Sequence, residues 1–152
     1  MSGFGQRYVI DTNALSQLGR RRRASAFFLE NAVIPEAVLQ EAEGFPDIGS
    51  LRENAHPTTV RVLQWLITVM ATVAETDARL VNLYANLGAA DPLVVACALE
   101  GQEYDSQYLD SPEWLVVTAD DAVRAKAEEF GLQVLGNSEF AARIDAASGE
   151  SE

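Results

Sequence analysis

A chain of 152 residues is long enough for one domain with its own core, and 48% hydrophobic against 22% charged residues is an ordinary globular balance. The single cysteine, Cys97, excludes a disulfide framework and a cysteine metal cage. A formal net charge of −12 excludes general electrostatic attraction to nucleic acid, which needs basic surface.

No stretch approaches the ~20 apolar residues of a membrane span, and the N-terminus lacks the basic and apolar regions of a signal peptide. With cysteine used so sparingly, a reducing, cytoplasmic setting is expected. Residues 1–7 read as a lead-in. Tyr8, Val9 and Ile10 form a short strand that runs straight into Asp11-Thr12-Asn13, and Ala14, Leu15 and Leu18 then take up helical spacing over 13–20. In an open parallel sheet, ligands bind outside the carboxyl ends of the strands, so an acid here is well placed for chemistry. It is equally well placed as a helix N-cap. Arg20, Arg21, Arg22 and Arg23 follow. The run suits a solvated helix end that complements the helix dipole, or a local patch that tracks RNA phosphates.

Ala32-Val33-Ile34 is a second strand. It stops at Pro35, which suits the first turn of a helix whose Ala37, Val38 and Glu41 share a face. Residues 44–57 read as loop. The segment 60–73 fits one buried helix, or a short helix followed by an edge strand over 66–70. We prefer the strand, because Thr76-Asp77 then caps a fresh amphipathic helix that ends at Gly88. Asp91-Pro92 leads into an apolar helix over 93–99, and 101–113 is polar loop. Residues 114–117 are apolar on both faces, as a central parallel strand should be. Thr118-Ala119-Asp120 closes that strand, a helix runs over 121–129, and 132–135 is the last strand. Asn137-Ser138 caps a final helix over 139–145. One domain over 1–145 and a disordered acidic tail over 146–152 complete the chain.

Strands alternating with helices predict an α/β fold with a parallel sheet covered on both faces. Right-handed crossovers then bring every strand's carboxyl end to one side. Asp11 and Asp120 each follow a strand, Asp91 begins the helix that feeds the 114–117 strand, and Glu41 lies on the Val38 face of its helix. Each has a bland role as a cap or surface charge, but caps have no need to converge on one sheet edge. A carboxylate protruding from a buried face is costly without a partner. Hard oxygen ligands without His or Cys support select Mg2+ or Mn2+ over Zn2+. Clustered carboxylates repel one another unless a cation neutralises them. A metal so held activates water and stabilises charge on a phosphodiester, and it reverses the local sign so that an acidic protein tolerates phosphate.

The order of these residues resembles the PIN-domain ribonucleases. Asp11-Thr12-Asn13 is similar to the opening block of that family, Pro35 to Glu41 to its second, Gly88-Ala89-Ala90-Asp91 to its third, and Val116 to Asp121 with Arg124 and Ala127 to its fourth. The resemblance spans 8–136. It implies a three-layer α/β/α fold with a five-stranded parallel sheet and divalent-metal-dependent cleavage of RNA. Carried over position by position, it implies metal ligation by Asp11, Glu41, Asp91 and Asp120. Asn13 would orient a metal-bound water or an acid, and Thr118 would hydrogen-bond into the site. Many small bacterial members are VapC-type toxins, usually dimeric and neutralised by an antitoxin, so an antitoxin and a homodimer are implied partners. The loop at 101–113 and the segment at 44–75 are longer than in a minimal toxin, and the chain is more acidic than a free ribonuclease prefers.

Other phosphate chemistries with acids at strand ends fit less well. A haloacid-dehalogenase phosphatase needs an acid at position 13, which is Asn. A receiver domain needs a Lys after its final strand, yet Lys126 lies in a helix; a Toprim site needs Asp-x-Asp where Asp120-Asp121 stands. The remaining rival is a catalytically idle PIN-like module that recognises a basic partner protein or peptide. The net charge favours it and the complete set of acids opposes it. His56 reads as a loop residue, Trp65 and Trp114 as packing, and Tyr104 and Tyr108 as candidate base-stacking platforms. Cys97 reads as a small buried hydrophobe.

Overall fold

The computed structural model describes residues 5–72 and 90–150, with the backbone alone at 90, 91 and 150. The first crossover is β1 (Gln6–Ile10), α1 (Thr12–Arg23), α2 (Ala26–Asn31) and β2 (Ala32–Pro35). After it come α3 (Glu36–Glu41), α4 (Ile48–Leu51), a 3-10 turn (Arg52–Asn54) and β3 (Ala55–His56). The second half is α5 (Val60–Ala71), α6 (Ala90–Asp105), β4 (Glu113–Val117), α7 (Asp121–Glu129), β5 (Gln133–Leu135) and α8 (Asn137–Glu150). All pairings are parallel, in the order β3-β2-β1-β4-β5. The fold is thus α/β, with a five-stranded parallel sheet between two helical layers. α1, α2 and α8 pack together on one side, and α5, α6 and α7 on the other.

The strands read as nearly continuous apolar runs because both faces are covered. Tyr8, Val9 and Ile10 are buried, as are Trp114 to Val117. Their register puts Ile10 beside Val117, and Val117 beside Leu135. On the α1–α8 side, Phe28 and Phe140 are fully buried, and Phe140 meets Tyr8 at 4.9 Å between ring centroids. No described helix is long and apolar enough to cross a membrane.

Several local expectations are corrected. Residues 66–70 are helical, not an edge strand: α5 is one helix, capped by Thr59, whose hydroxyl accepts from the Val62 N–H at 3.2 Å. Val62, Leu66 and Val69 are buried while Val60, Leu63 and Ile67 are exposed, so burial follows the helical period. The helix expected over 78–87 lies outside the described residues. The 44–57 loop contains α4 and the two-residue β3, and β3 places half-buried His56 edge-on to Trp114. α2, capped by Ser25, has no counterpart in the sequence reading.

α6 begins at Ala90, so Asp91 is its second residue and not its cap, and it runs on to Asp105 through the expected loop. Gly101 permits this. A Cβ there would stand 2.3 Å from the Trp114 ring, so the helix can lie on Trp114 only where the side chain is missing. Trp114 Nε1 donates to Asp105 at 2.8 Å and fastens the last turn. At the other end of the chain, α8 extends beyond 145 to Glu150, where a disordered tail was expected. Phe140 and Ile144, one turn apart and both buried, hold it on the core.

Candidate functional site

The chain fills the sheet outward from β1 to β3, then returns to the other side of β1 with β4 and β5. The order therefore reverses between β1 and β4, and at such a reversal the flanking loops part to leave a crevice at the carboxyl edge. Asp11 and Thr118 stand on its two sides. The Asp11 N–H donates to the Val117 carbonyl at 3.3 Å, so Asp11 is the last rung of the β1–β4 ladder.

Asp11 is both an N-cap and a member of the crevice. Its Oδ1 accepts from the Ala14 N–H at 2.8 Å, and its Oδ2 accepts from the Thr118 hydroxyl. The Thr118 oxygen in turn accepts the Asp120 N–H at 3.0 Å. Asp120 caps α7 with Oδ1, which takes the N–H groups of Ala122 and Val123 at 2.8 and 3.1 Å. Both capping roles read from the sequence are therefore present, and they hold each carboxylate at a set angle on one edge. Asp11 is 2% exposed and Thr118 is fully buried.

Glu41 ends α3 and is exposed, so the expected carboxylate on a buried face is corrected: Val38 is buried and Glu41 is not. Its Oε1 accepts from the Thr12 hydroxyl at 2.5 Å, which ties it to the residue after Asp11. Burial pushes the Asp11 carboxyl above its ordinary range, outweighing the Thr118 and Ala14 hydrogen bonds that pull it down, and the charges of Asp120 and Glu41 add to the rise. Those two charges are felt at Asp11 because the fold has brought the three acids into one neighbourhood.

α6 runs against the strands, and its last turn is fastened to Trp114 at the start of β4, so its first turn lies toward the carboxyl side. The Asp91 side chain is outside the described residues. Among the described residues, no three His, Cys, Asp or Glu side chains form a ready-made metal cluster.

Asn13 is exposed and turned elsewhere: its Oδ1 accepts from Asn137 Nδ2 at 3.1 Å, at the start of α8. Thr12 and Asn137 were not singled out from the sequence. Thr12 had a legible signal as the hydroxyl beside a strand-end acid, whereas Asn137 had only its capping position.

The arginine run divides. Arg23 is withdrawn from any RNA-facing patch, since it is 6% exposed and both Asp47 oxygens accept from it, at 2.9 and 3.0 Å. It also donates to the Leu15 carbonyl at 3.0 Å and lies 4.6 Å over the Phe45 ring. Arg22 is paired with Asp145 at 2.9 Å, leaving Arg20 and Arg21 as exposed cations of the run, about two turns down α1 from the acids. Trp114 is buried packing and Trp65 half-buried beneath Arg61, as expected, while Tyr104 and Tyr108 are exposed neighbours 6.1 Å apart. Cys97 is a buried hydrophobe, its thiol pushed up to about 12 mainly by burial. Compared with protein-family models and with curated proteins, the chain finds no match.

Proposed function

We propose that the protein is a divalent-metal-dependent nuclease of the PIN-domain type that hydrolyses RNA phosphodiester bonds at the β1–β4 crevice. The observation that carries this reading is Asp11, a nearly buried carboxylate at the reversal of the sheet whose ionisation is opposed by burial and by two neighbouring acids. Such a carboxylate is stabilised by a cation. The donor set, all oxygen, fits Mg2+ or Mn2+. Asp11, Glu41, Asp120 and, from its place at the start of α6, Asp91 would hold the metal, which would supply Lewis acidity and an activated water.

The chain's own residues set the geometry. Ala14 and Thr118 fix both oxygens of Asp11, so the carboxylate keeps one orientation. Thr118 couples that orientation to Asp120 through the Asp120 N–H. Thr12 positions Glu41 from the opposite side. Preorganisation of this kind lowers the reorganisation needed when charge develops at the scissile phosphate. The toxin of a toxin–antitoxin pair, working as a homodimer, is the form of the activity that the family resemblance implies.

One observation favours the second reading, an idle module for a basic partner such as an antitoxin. The chain carries −12, and two of the arginines in its densest basic run are engaged by its own acids. Cleavage of a broad RNA panel with Mn2+, comparing the native chain with Asp11→Asn, separates the two. We expect metal-dependent cleavage that the substitution abolishes. No cleavage of any RNA by the native chain would overturn the nuclease reading in favour of the module.

A further inference from the structure

An edge lined with acids that must hold a polyanion needs a fixed cation as well as a metal, the more so in a chain of net charge −12. Most basic side chains of this protein are already engaged. Arg22, Arg23, Arg61 and Lys126 pair with acids, Arg143 donates to Tyr8 and Gln6, and Arg7 donates to the Glu30 carbonyl. Among the described residues, Arg20, Arg21, Arg52 and Arg124 make no side-chain hydrogen bond or ion pair. Arg20 and Arg21 end α1, which starts at the carboxyl edge and runs away from it, and Arg52 precedes β3 at the opposite edge. Arg124 is the member of this set that stands at the carboxyl edge.

The sheet register fixes its place. Ile10, Val117 and Leu135 form one row across β1, β4 and β5. The next row is Asp11, Thr118 and Gly136, since the Asp11 N–H donates to the Val117 carbonyl at 3.3 Å and the Thr118 N–H to the Leu135 carbonyl at 3.0 Å. Arg124 is one turn into α7, the helix that Asp120 caps, and its backbone N–H donates to the Asp120 carbonyl at 2.9 Å. Its half-buried guanidinium reaches the third member of the row: a Cβ on Gly136 would lie 3.7 Å from Nη2. Glu139 comes to the same glycine, but its Oε1 accepts the Gly136 N–H at 2.9 Å and leaves the guanidinium unpaired. Neighbouring strands stand about 4.8 Å apart, so this cation lies roughly 10 Å along the edge from Asp11.

The fork of donors on an arginine matches the paired oxygens of a phosphate. A group two strands away from Asp11 meets a phosphate beside the one under attack, not the attacked phosphate itself. We propose that Arg124 binds the RNA phosphate that flanks the scissile one and so sets the register of a single strand along the carboxyl edge. The proposal rests on the nuclease reading for which phosphate is flanked. It assigns Arg124 to affinity and positioning, because phosphate contacts carry no sequence information.

A labelled single-stranded oligoribonucleotide with 2′-O-methyl groups keeps every phosphate, and its binding is followed by fluorescence anisotropy with Mn2+ present, across about 50–200 mM NaCl. Arg124→Gln should weaken binding roughly tenfold and lower the slope of log affinity against log salt by about 0.7, the share of one phosphate on a single strand. Arg124→Lys keeps the charge and should keep the slope, losing only the part of the affinity that the fork supplies. Arg52→Gln removes the same charge at the opposite edge and should change neither quantity. Native affinity and slope in Arg124→Gln, or an equal loss in Arg52→Gln, overturns the proposal; so does a native chain that binds no RNA saturably. Cleavage of unmodified RNA by the native chain reports the nuclease reading separately. Binding that depends on Arg124 without any cleavage removes that reading and leaves the phosphate contact, whereas cleavage with binding indifferent to Arg124→Gln removes the contact alone.

Discussion

Asp11 shows how one side chain can serve two ends at a cost to the fold. An acid whose pKa is raised on folding holds its proton more tightly folded than unfolded. Its share of stability is full below the unfolded value and is lost as the pH climbs through the raised one. At neutral pH the ionised Asp11 therefore weakens the protein. Asp11→Asn keeps the volume and the cap, since an amide oxygen accepts from Ala14 as well as a carboxylate does, and Thr118 has a second lone pair for the new N–H. We expect the variant to melt higher than the native chain at pH 7 in chelator, with the difference shrinking toward pH 4. A lower melting point in chelator would show that ionised Asp11 supports the fold instead. The position of Asp11 was legible because a strand end running into a carboxylate lies on the surface of the sequence, whereas its pairing with the Thr118 hydroxyl was not, because it depends on β1 and β4 being neighbours. The Thr12–Glu41 and Asn13–Asn137 contacts were not, because each joins side chains whose approach depends on how α3 and α8 are set against α1.

At the scale of elements, α1 owes its shape to a residue that the sequence offered as a nucleic-acid contact. The helix breaks at Gly19, where φ is 79° and ψ is 161°, a conformation open to glycine. The break lets Arg23 turn back to the Leu15 carbonyl while Asp47 chelates its guanidinium. Arg23→Ala strands Asp47 and frees that carbonyl, and should cost about 3 kcal/mol in a denaturant titration. The Arg23 hydrogen bonds hold the Asp47 carboxyl below its ordinary value of 3.8. Its stabilisation is thus present above that value and lost as pH falls through the lower folded one, so Arg23→Ala should flatten the acid limb of the stability profile below about pH 4. An unchanged acid limb would show that the pair contributes nothing to the fold.

The same scale explains why α5 and α6 were misread. The strand over 66–70 was preferred because Thr76-Asp77 could then cap a fresh helix; burial of Val62, Leu66 and Val69 at helical spacing shows instead that one helix runs through the segment. Gly101 resembles a helix end in sequence but is a packing glycine in three dimensions. Gly101→Ala would force a methyl group into the Trp114 ring, and we expect a loss of about 1–3 kcal/mol by chemical denaturation. If the variant were as stable as the native chain, the Trp114 contact would not be what requires glycine there.

At the scale of the whole molecule, a single topological fact gathers the acids. Alternating strands and helices made the parallel sheet legible, but the order β3-β2-β1-β4-β5 is a choice among several that the same elements allow. That order makes β1 and β4 neighbours, and so makes Asp11, Thr118 and Asp120 neighbours as well. Against this local concentration of negative charge stands a chain whose net charge is already −12. Any divalent cation will relieve some of that general self-repulsion, so a rise in melting temperature with Mg2+ is not by itself a sign of a site. A site is distinguished by saturation and by its dependence on particular carboxylates. At a free metal concentration 100 times Kd, a single site adds ~2.7 kcal/mol, which for a chain of this size is roughly 5–10 °C. We expect that rise with Mg2+ or Mn2+ in buffer matched in ionic strength with NaCl, and we expect Asp11→Asn and Asp120→Asn to reduce it to the small increment that screening gives. Replacement of Asp145, an acid on α8 that pairs with Arg22, should leave it whole. A native curve that stays flat across millimolar metal, or one that rises equally in all three variants, would mean that the carboxyl edge repels charge without holding a cation.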